Sequence, residues 1–212
     1  MKIFIIGANG QIGRYLVQLL KATPHHVKVM VRKQEQVANM QDLGADEVVI
    51  GDLEGNFSHL IEGSDVVIFT AGSGGDTGVD KTITVDFNGA WKTIEAAEAY
   101  KIPRFILVSS LLADRPQQGP DDLYEYLIVK GRVDEWLRKS TLNYTIWRPG
   151  ALIDTPSTGK VSIAEHLEEP GRIPRIDVAY TIVEALEAEN TFYRSFDLIT
   201  GTTPIKEAIQ SL

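Results

Sequence analysis

The sequence predicts an α/β fold: a doubly wound parallel sheet with helices on both faces and a small C-terminal cap. Three observations predict it. Short apolar runs alternate with segments of helical period along most of the chain. The runs are apolar throughout, not at every second residue, which marks strands buried on both faces. The first run passes into the first helix through glycines spaced three apart, Gly7, Gly10 and Gly13. Right-handed crossovers between parallel strands then wind the sheet in both directions.

Taken in order, Lys2–Ile6 is an apolar strand, and Gln11–Lys21 places Ile12, Leu16, Leu19 and Leu20 at helical spacing. Val27–Val31 reads as the second strand, Gln34–Leu43 as the second helix and Glu47–Ile50 as the third strand. Asp65–Thr70 is the fourth strand, and Thr82–Tyr100 is a long helix with Phe87, Trp91 and Ile94 on one face. A strand over Arg104–Ser109, a helix over Leu123–Lys139 and a strand over Tyr144–Arg148 follow. Beyond Gly150 the texture changes. Asp154–Arg175 is rich in Gly, Pro, Thr and Glu without a clear period, so residues 151–175 read as a small substrate-side cap or loop. Val178–Leu186 then reads as a helix, Ser195–Ile199 as a strand and Pro204–Leu212 as a short terminal helix. No repeat, low-complexity tract or linker divides the chain, so residues 1–212 read as one domain.

With 43% hydrophobic and 24% charged residues, the composition is that of a soluble globular protein. No apolar run approaches the ~20 residues that cross a bilayer. Met1–Ile6 is too short an apolar run for a secretory signal, which needs about 7–15 residues. Neither a membrane partner nor export is expected. The absence of cysteine removes disulfides, thiol catalysis and thiolate metal sites, and fits a reducing cytoplasm. A net charge of −8 without a Lys/Arg cluster argues against a nucleic-acid partner. His25, His26, His59 and His166 lack ligand spacing, so no metal is expected. No serine occupies a G-x-S-x-G elbow, which removes support for hydrolase chemistry. Trp91 and Trp136 read as core, and Asp121-Asp122 as caps for the helix that begins at Leu123.

In the glycine loop, Gly7 turns off the strand, Gly10 admits a bound group close to the backbone, and Gly13 packs the helix on the sheet. The helix then aims its free N–H groups and positive dipole end at the loop, which favours a pyrophosphate. Gly7, Asn9, Gly10, Gln11, Ile12 and Gly13 are therefore candidate dinucleotide ligands, with a purely structural turn as the competing interpretation. At the tip of the second strand an acid would accept from a ribose 2′-hydroxyl, whereas Arg would pair with a 2′-phosphate. That tip reads Val29-Met30-Val31-Arg32-Lys33, without an acid. Arg32 can fork onto a phosphate and Lys33 adds a second charge, so NADP is favoured over NAD. A solvated basic strand end is the alternative. After the fourth strand, Thr70, Ala71 and Gly72 are small enough to run beside the cofactor, and Ser73–Gly78 extends that loop.

Ser109 and Ser110 end the fifth strand, at the carboxyl edge where such sheets bind ligands. Tyr126 and Lys130 stand four apart on the next helix and share a face. A neighbouring cation favours the phenolate and lowers a phenol pKa of ~10. That pair suits a general acid protonating a carbonyl oxygen as hydride arrives, with a serine hydroxyl polarising the same oxygen. A Y-x-x-x-K pentad recurs by chance; its place one helix after a strand ending Ser-Ser gives it weight. In the alternative, Tyr126 packs and Lys130 binds ribose alone.

The G-x-x-G-x-x-G spacing, the Ser-Ser strand end, the Tyr126–Lys130 pair and the strand ending Trp147-Arg148-Pro149-Gly150 together resemble the atypical short-chain dehydrogenase/reductase family. The order of these motifs is similar to that in members including NmrA-like and flavin-reductase-like proteins. The run from Arg175 to Leu186 resembles the family's helix after the cap, and matching motifs span about residues 3–200. The resemblance implies a Rossmann NAD(P)-binding fold, with Asp52, beside Leu53, at the adenine and Lys130 at the ribose. It places Pro149 and Gly150 by the nicotinamide, where fixed φ followed by a free residue suits a chain bending round a ring. The implied function is an NADP-dependent oxidoreductase moving hydride to or from a small carbonyl, quinone or flavin-like substrate. A non-catalytic NADP-sensing protein is the alternative. A sugar-nucleotide epimerase or dehydratase uses the same Tyr and Lys but carries a substantial C-terminal substrate domain, and ranks third. Short-chain reductases often pair through two long helices, so monomer and homodimer both stay open.

Overall fold

Lys2–Ile6 (β1) sends Ile3 and Ile5 into one buried cluster and Phe4 and Ile6 into another. A strand without a polar face is covered on both sides. The computed structural model describes residues 1–72 and 87–212. The next strands are His26–Val31 (β2), Glu47–Ile50 (β3), Val66–Phe69 (β4), Arg104–Val108 (β5) and Tyr144–Pro149 (β6). After them come Ala151–Ile153 (β7), Lys160–Ala164 (β8), Arg172–Pro174 (β9), Arg194–Thr200 (β10) and Thr203–Pro204 (β11). In the sheet the order is β3-β2-β1-β4-β5-β6-β10, all parallel. β8 lies antiparallel beside β10, and β11 antiparallel to β8, at the far edge. This is the doubly wound arrangement expected from the alternating pattern.

The helices are Gln11–Leu20 (α1), Val37–Leu43 (α2), Ala90–Ala99 (α3), Tyr124–Lys139 (α4), Arg175–Glu184 (α5) and Ile205–Gln210 (α6). α1, α2, α5 and α6 cover one face through Leu16, Met40, Ile182 and Ile209. α3 and α4 cover the other through Ile94, Val133 and Leu137. Among the described residues no helix is long and apolar enough to cross a membrane.

The structure departs from the sequence expectations in particular places. Residues 154–175 are not a plain loop. β8 extends the main sheet, and β7 pairs with β9 in a ribbon of two strands. The fully buried Asp177 carboxylate ties this region to α5. It accepts the Ser157 hydroxyl, the Thr158 N–H at 3.0 Å and hydroxyl at 2.8 Å, and the Gly159 N–H at 3.3 Å. α5 starts at Arg175, three positions before the expected Val178, because Pro174 stands at its N-cap and Asp177 in its first turn. The second predicted helix is a 3₁₀ turn, Gln34–Gln36, leading into α2. Of the long helix predicted over Thr82–Tyr100, residues 82–86 lie outside the described residues, as does the Ser73–Gly78 loop. Asp121 and Asp122 sit in a 3₁₀ turn ahead of α4, and no side chain makes a capping hydrogen bond there. Trp91 and Trp136 are not core. They meet edge to face at 6.1 Å, and Trp136 is 45% exposed because α4 turns Leu127, Val133 and Leu137 inward instead. Of the three tryptophans it is Trp147 that is buried, stacked on Phe196 at 5.3 Å.

One close approach fixes α4. A Cβ on Gly131 would fall 2.1 Å from the Ala113 carbonyl oxygen, in the loop after β5. Backbone cannot yield as a side chain does. Gly131→Ala should therefore destabilise the fold by about 1–3 kcal/mol through overpacking, read as a lower urea midpoint with an unchanged slope.

Candidate functional site

β1 ends at Ile6, and the chain turns at Gly7 with φ of +88°, a conformation glycine adopts without strain. A Cβ on Gly7 would fall 2.4 Å from the Ala71 nitrogen, in the loop leaving β4. A Cβ on Gly13 would fall 2.4 Å from the Gly7 carbonyl oxygen. Strand, loop and helix thus meet backbone to backbone. Gly10 is the N-cap of α1, donates its N–H to the Gly7 carbonyl at 2.9 Å, and provides no side-chain cap. The first turn of α1 carries no acid either. Its leading amides, from Gln11 to Gly13, and the positive end of its dipole face the loop without a carboxylate to answer them.

A cleft of about 380 Å³ opens over this loop, where the strand order reverses between β1 and β4. Ligands of doubly wound sheets bind at that switch point. Of the predicted residues, Gly7, Asn9, Gly10, Arg32, Asp52, Leu53, Thr70, Ala71 and Gly72 line the cleft. Met30, Val31, Gln36 and Gly51 line it as well and were not anticipated. Gln11, Ile12, Gly13, Lys33, Lys130, Pro149 and Gly150 are not on its wall. Asn9 is held by Arg14, whose guanidinium donates to its carbonyl at 3.1 Å and to its Oδ1 at 2.8 Å. Arg32 is exposed at the rim, and among the described residues no carboxylate lies within ion-pair range of its guanidinium. Lys33 instead pairs outward with Glu35 at 3.4 Å. Asp52 takes the Glu54 N–H on Oδ1 at 3.0 Å, which shapes the turn after β3.

The chemical end lies past β5 and β6. Ser109 keeps the strand pairing, its N–H donating to the Trp147 carbonyl at 2.7 Å, and its side chain is buried. It faces Asp134 rather than open space. Ser110 is half-buried, with Oγ only 3.3 Å from the Leu111 carbonyl as a local partner, so it is the serine that reaches the surface. Tyr126 is half-buried on α4. One turn on, Lys130 is 3% exposed and its Nζ donates to the Val108 carbonyl at 3.1 Å. Gly150 is buried, and a Cβ there would fall 2.3 Å from the Gly171 carbonyl oxygen. Its glycine answers that crossing of β7 and its neighbour, not a positive φ. Leu112, in the loop after β5, holds φ of +68°, a left-handed conformation costing a branched residue about 1–3 kcal/mol.

Beneath this end runs a buried ionic network that sequence reasoning did not anticipate. Arg148 of β6 is 1% exposed, with Nε 2.8 Å from Asp134 Oδ2 and an Nη 2.7 Å from Asp114 Oδ2. Arg115 bonds Asp114 at 2.9 Å and Asp197 Oδ2 at 2.5 Å. His166 touches Asp114 at 3.1 Å, and the Leu167 N–H donates to Asp197 at 2.9 Å. Burial pushes the Asp134 carboxyl up, against the Arg148, Ser109 and Lys130 contacts that hold it down. The signals were an Arg within the apolar strand Tyr144–Pro149, an Asp within Arg194–Thr200, and an Asp four residues after Lys130.

The family described as NAD(P)H-binding matches residues 7–189 of the chain. A Bacillus subtilis protein named uncharacterized sugar epimerase YhfK is 49% identical over 216 residues, covering 100% of both chains. A structure described as a putative NAD-dependent epimerase/dehydratase from Bacillus halodurans is similar at a TM-score of 0.97 and 43% identity, with 100% of each chain covered. The oxidoreductase ylbE from Lactococcus lactis is similar at a TM-score of 0.88 and 33% identity, over 100% of this chain and 96% of that one.

Asp134→Ala strands the buried Arg148 guanidinium without its Nε partner. Removing one member of a buried ion pair costs about 3–5 kcal/mol, and chemical denaturation of the variant should show a loss in that range.

Proposed function

The chain belongs to the NAD(P)H-binding family, and on that premise we propose that it is an NADP-dependent oxidoreductase acting on a small carbonyl, quinone or flavin-like substrate. The observation that carries this is the cleft, with an uncapped helix N-terminus and bare glycine backbone at its floor and Arg32 at its rim. Linked phosphates fit the floor because amides and dipole face it and no side chain intervenes. Any Cβ at Gly7 or Gly13 would strike backbone and close that approach.

At the ribose, Arg32 offers a planar fork suited to a 2′-phosphate, and the strand tip has no acid to accept from a 2′-hydroxyl. Asp52 and Leu53 border the adenine, while Thr70–Gly72 run beside the sugar. Pro149 and Gly150 frame the nicotinamide end, and residues 151–175 cover the substrate side. NADPH, when bound, supplies the hydride. Tyr126 gives its phenolic proton to the substrate oxygen, and Lys130, fixed through the Val108 carbonyl, holds the ribose. Ser110 hydrogen-bonds the same oxygen; Ser109 is turned away toward Asp134.

The epimerase names carried by the two Bacillus relatives support a second reading in which Tyr126 and Lys130 act on a sugar. An epimerase regenerates its cofactor and shows no net oxidation of it, so turnover separates the two.

In a titration the wild-type protein should take up NADPH in preference to NADH. Arg32→Glu should weaken NADPH about tenfold or more by removing a charge-assisted bond and adding repulsion, with NADH little changed; equal losses would refute the assignment. Over a panel of quinones, flavins and aldehydes, NADPH consumption should fall about 10²–10⁴-fold in Tyr126→Phe. Tight NADPH binding without consumption on any acceptor would favour the cofactor-sensing alternative.

A further inference from the structure

We propose that Gln36 is a specificity-determining residue for the adenosine 2′ position, its carboxamide presenting only donors to a 2′-phosphate. The inference deepens the NADP reading and rests on it. Gln36 ends the 3₁₀ turn that follows β2, and its half-buried side chain lines the cleft beside Arg32. Its Oε1 accepts the Arg32 N–H at 3.0 Å and the Lys33 N–H at 3.2 Å.

Two backbone donors on one oxygen decide how the amide faces. A carboxamide has one oxygen with two lone pairs and one nitrogen with two N–H groups. Both lone pairs are committed to the main chain, so what the head group has left to offer is Nε2. Among the described residues no acceptor takes its protons. The side chain is also pinned before any ligand arrives, which reduces the ordering entropy lost on binding.

The consequence is that the β2 side of the rim offers donors alone. A ribose 2′-hydroxyl is selected by an acceptor, and a carboxylate at the strand tip is the usual one. Here the polar groups bordering the cleft after β2 are the Arg32 guanidinium and the Gln36 amide nitrogen. Both donate and neither accepts. Asp52, the carboxylate that lines the cleft, follows β3 rather than the β2 tip, and its Oδ1 takes the Glu54 N–H. A 2′-phosphate offers three charged acceptor oxygens to such a rim, and the hydrogen bonds they accept are roughly twice as strong as those accepted by a neutral hydroxyl oxygen.

Gln36→Glu is the informative change. A carboxylate keeps an oxygen for the Arg32 and Lys33 N–H groups, so the turn survives, and it replaces the donor with an acceptor. Gln36→Met removes the donor without adding charge, and with it the Oε1 that accepts the Arg32 and Lys33 N–H groups, so its effect on 5′-AMP reports any change in the turn. The probes are 2′,5′-ADP and 5′-AMP, which differ only at the 2′ position, measured by calorimetry on the intact chain. Wild-type protein should prefer 2′,5′-ADP; no preference would remove the NADP reading itself, and this inference with it. Given that preference, Gln36→Glu should lower it by about ten- to hundredfold, the worth of one hydrogen bond to a charged group plus repulsion. Gln36→Met should lower it about threefold to tenfold, the loss of the donor to the 2′-phosphate, with any loss of the turn weakening 5′-AMP as well. A Met variant that keeps the wild-type preference, or variants that weaken both probes equally, would show that Gln36 only shapes the turn and would overturn the proposal.

Discussion

The molecule is organised around a place where no side chain fits. The Cβ position of Gly7 is taken by the backbone of Ala71, and that of Gly13 by the carbonyl of Gly7. This triple contact pulls β1, β4 and α1 within backbone distance of one another. It brings the open amides of α1 level with the strand ends, at the point where the sheet reverses its order. Thr70 reinforces the junction by donating its hydroxyl to the Ile6 and Gly7 carbonyls, at 3.1 and 3.3 Å. The nucleotide end of the site is thereby made of main chain, and its geometry is set by sterics rather than by any chosen side chain.

The chemical end is held by another kind of force. Arg148 is shared among Asp134 on α4, Asp114 in the loop after β5 and, at 4.0 Å, Asp197 on β10. Taking five charged groups out of water is expensive, and a buried network of this sort contributes little net stability. What it does contribute is register. Asp134 stands one turn beyond Lys130, which stands one turn beyond Tyr126, so the contact that fixes Asp134 fixes the rotation of α4 about its axis. Gly131 then lets the loop bearing Asp114 lie directly on that helix. The cleft depends on the absence of side chains; the helix that carries the phenol depends on their charges.

That difference explains what could be read from the sequence. Strands such as Lys2–Ile6 and Val66–Phe69 were legible because burial on both faces leaves an unbroken apolar run. Glycines three apart between such a run and a helix were legible because few other residues tolerate that turn. Lys160–Ala164 was not, since an edge strand is half-exposed and mixes Lys and Ser with its apolar residues. The Gln36 placement is not legible in the sequence because it depends on two backbone amides, and a sequence shows side chains alone. Arg148 precedes the Pro-Gly turn, and an arginine inside a buried strand needs partners, a signal the sequence carries without naming them. Ser109 and Ser110 could have been separated by parity. Phe105 and Leu107 face the α3–α4 layer, so the next residue of that set, Ser109, must face it too.

Parity also bears on how the two ends of the site meet. Ile106 and Val108 belong to the opposite layer, with α1 and α5. The backbone pairing with β6 runs on from the Ser109 N–H to the Leu111 N–H, which donates to the Pro149 carbonyl at 2.9 Å, and the loop turns away at Leu112 with its left-handed backbone. Ser110 therefore stands within the last step of that pairing, half-buried and one position out of phase with Ser109. The strain at Leu112 is sustained because both ends of its loop are tied, at Ser109 to the sheet and at Asp114 and Arg115 to the ionic network. A loop tied on either side holds the Ser110 backbone in place, and fixed geometry between a donor and the reacting oxygen is what its proposed role requires.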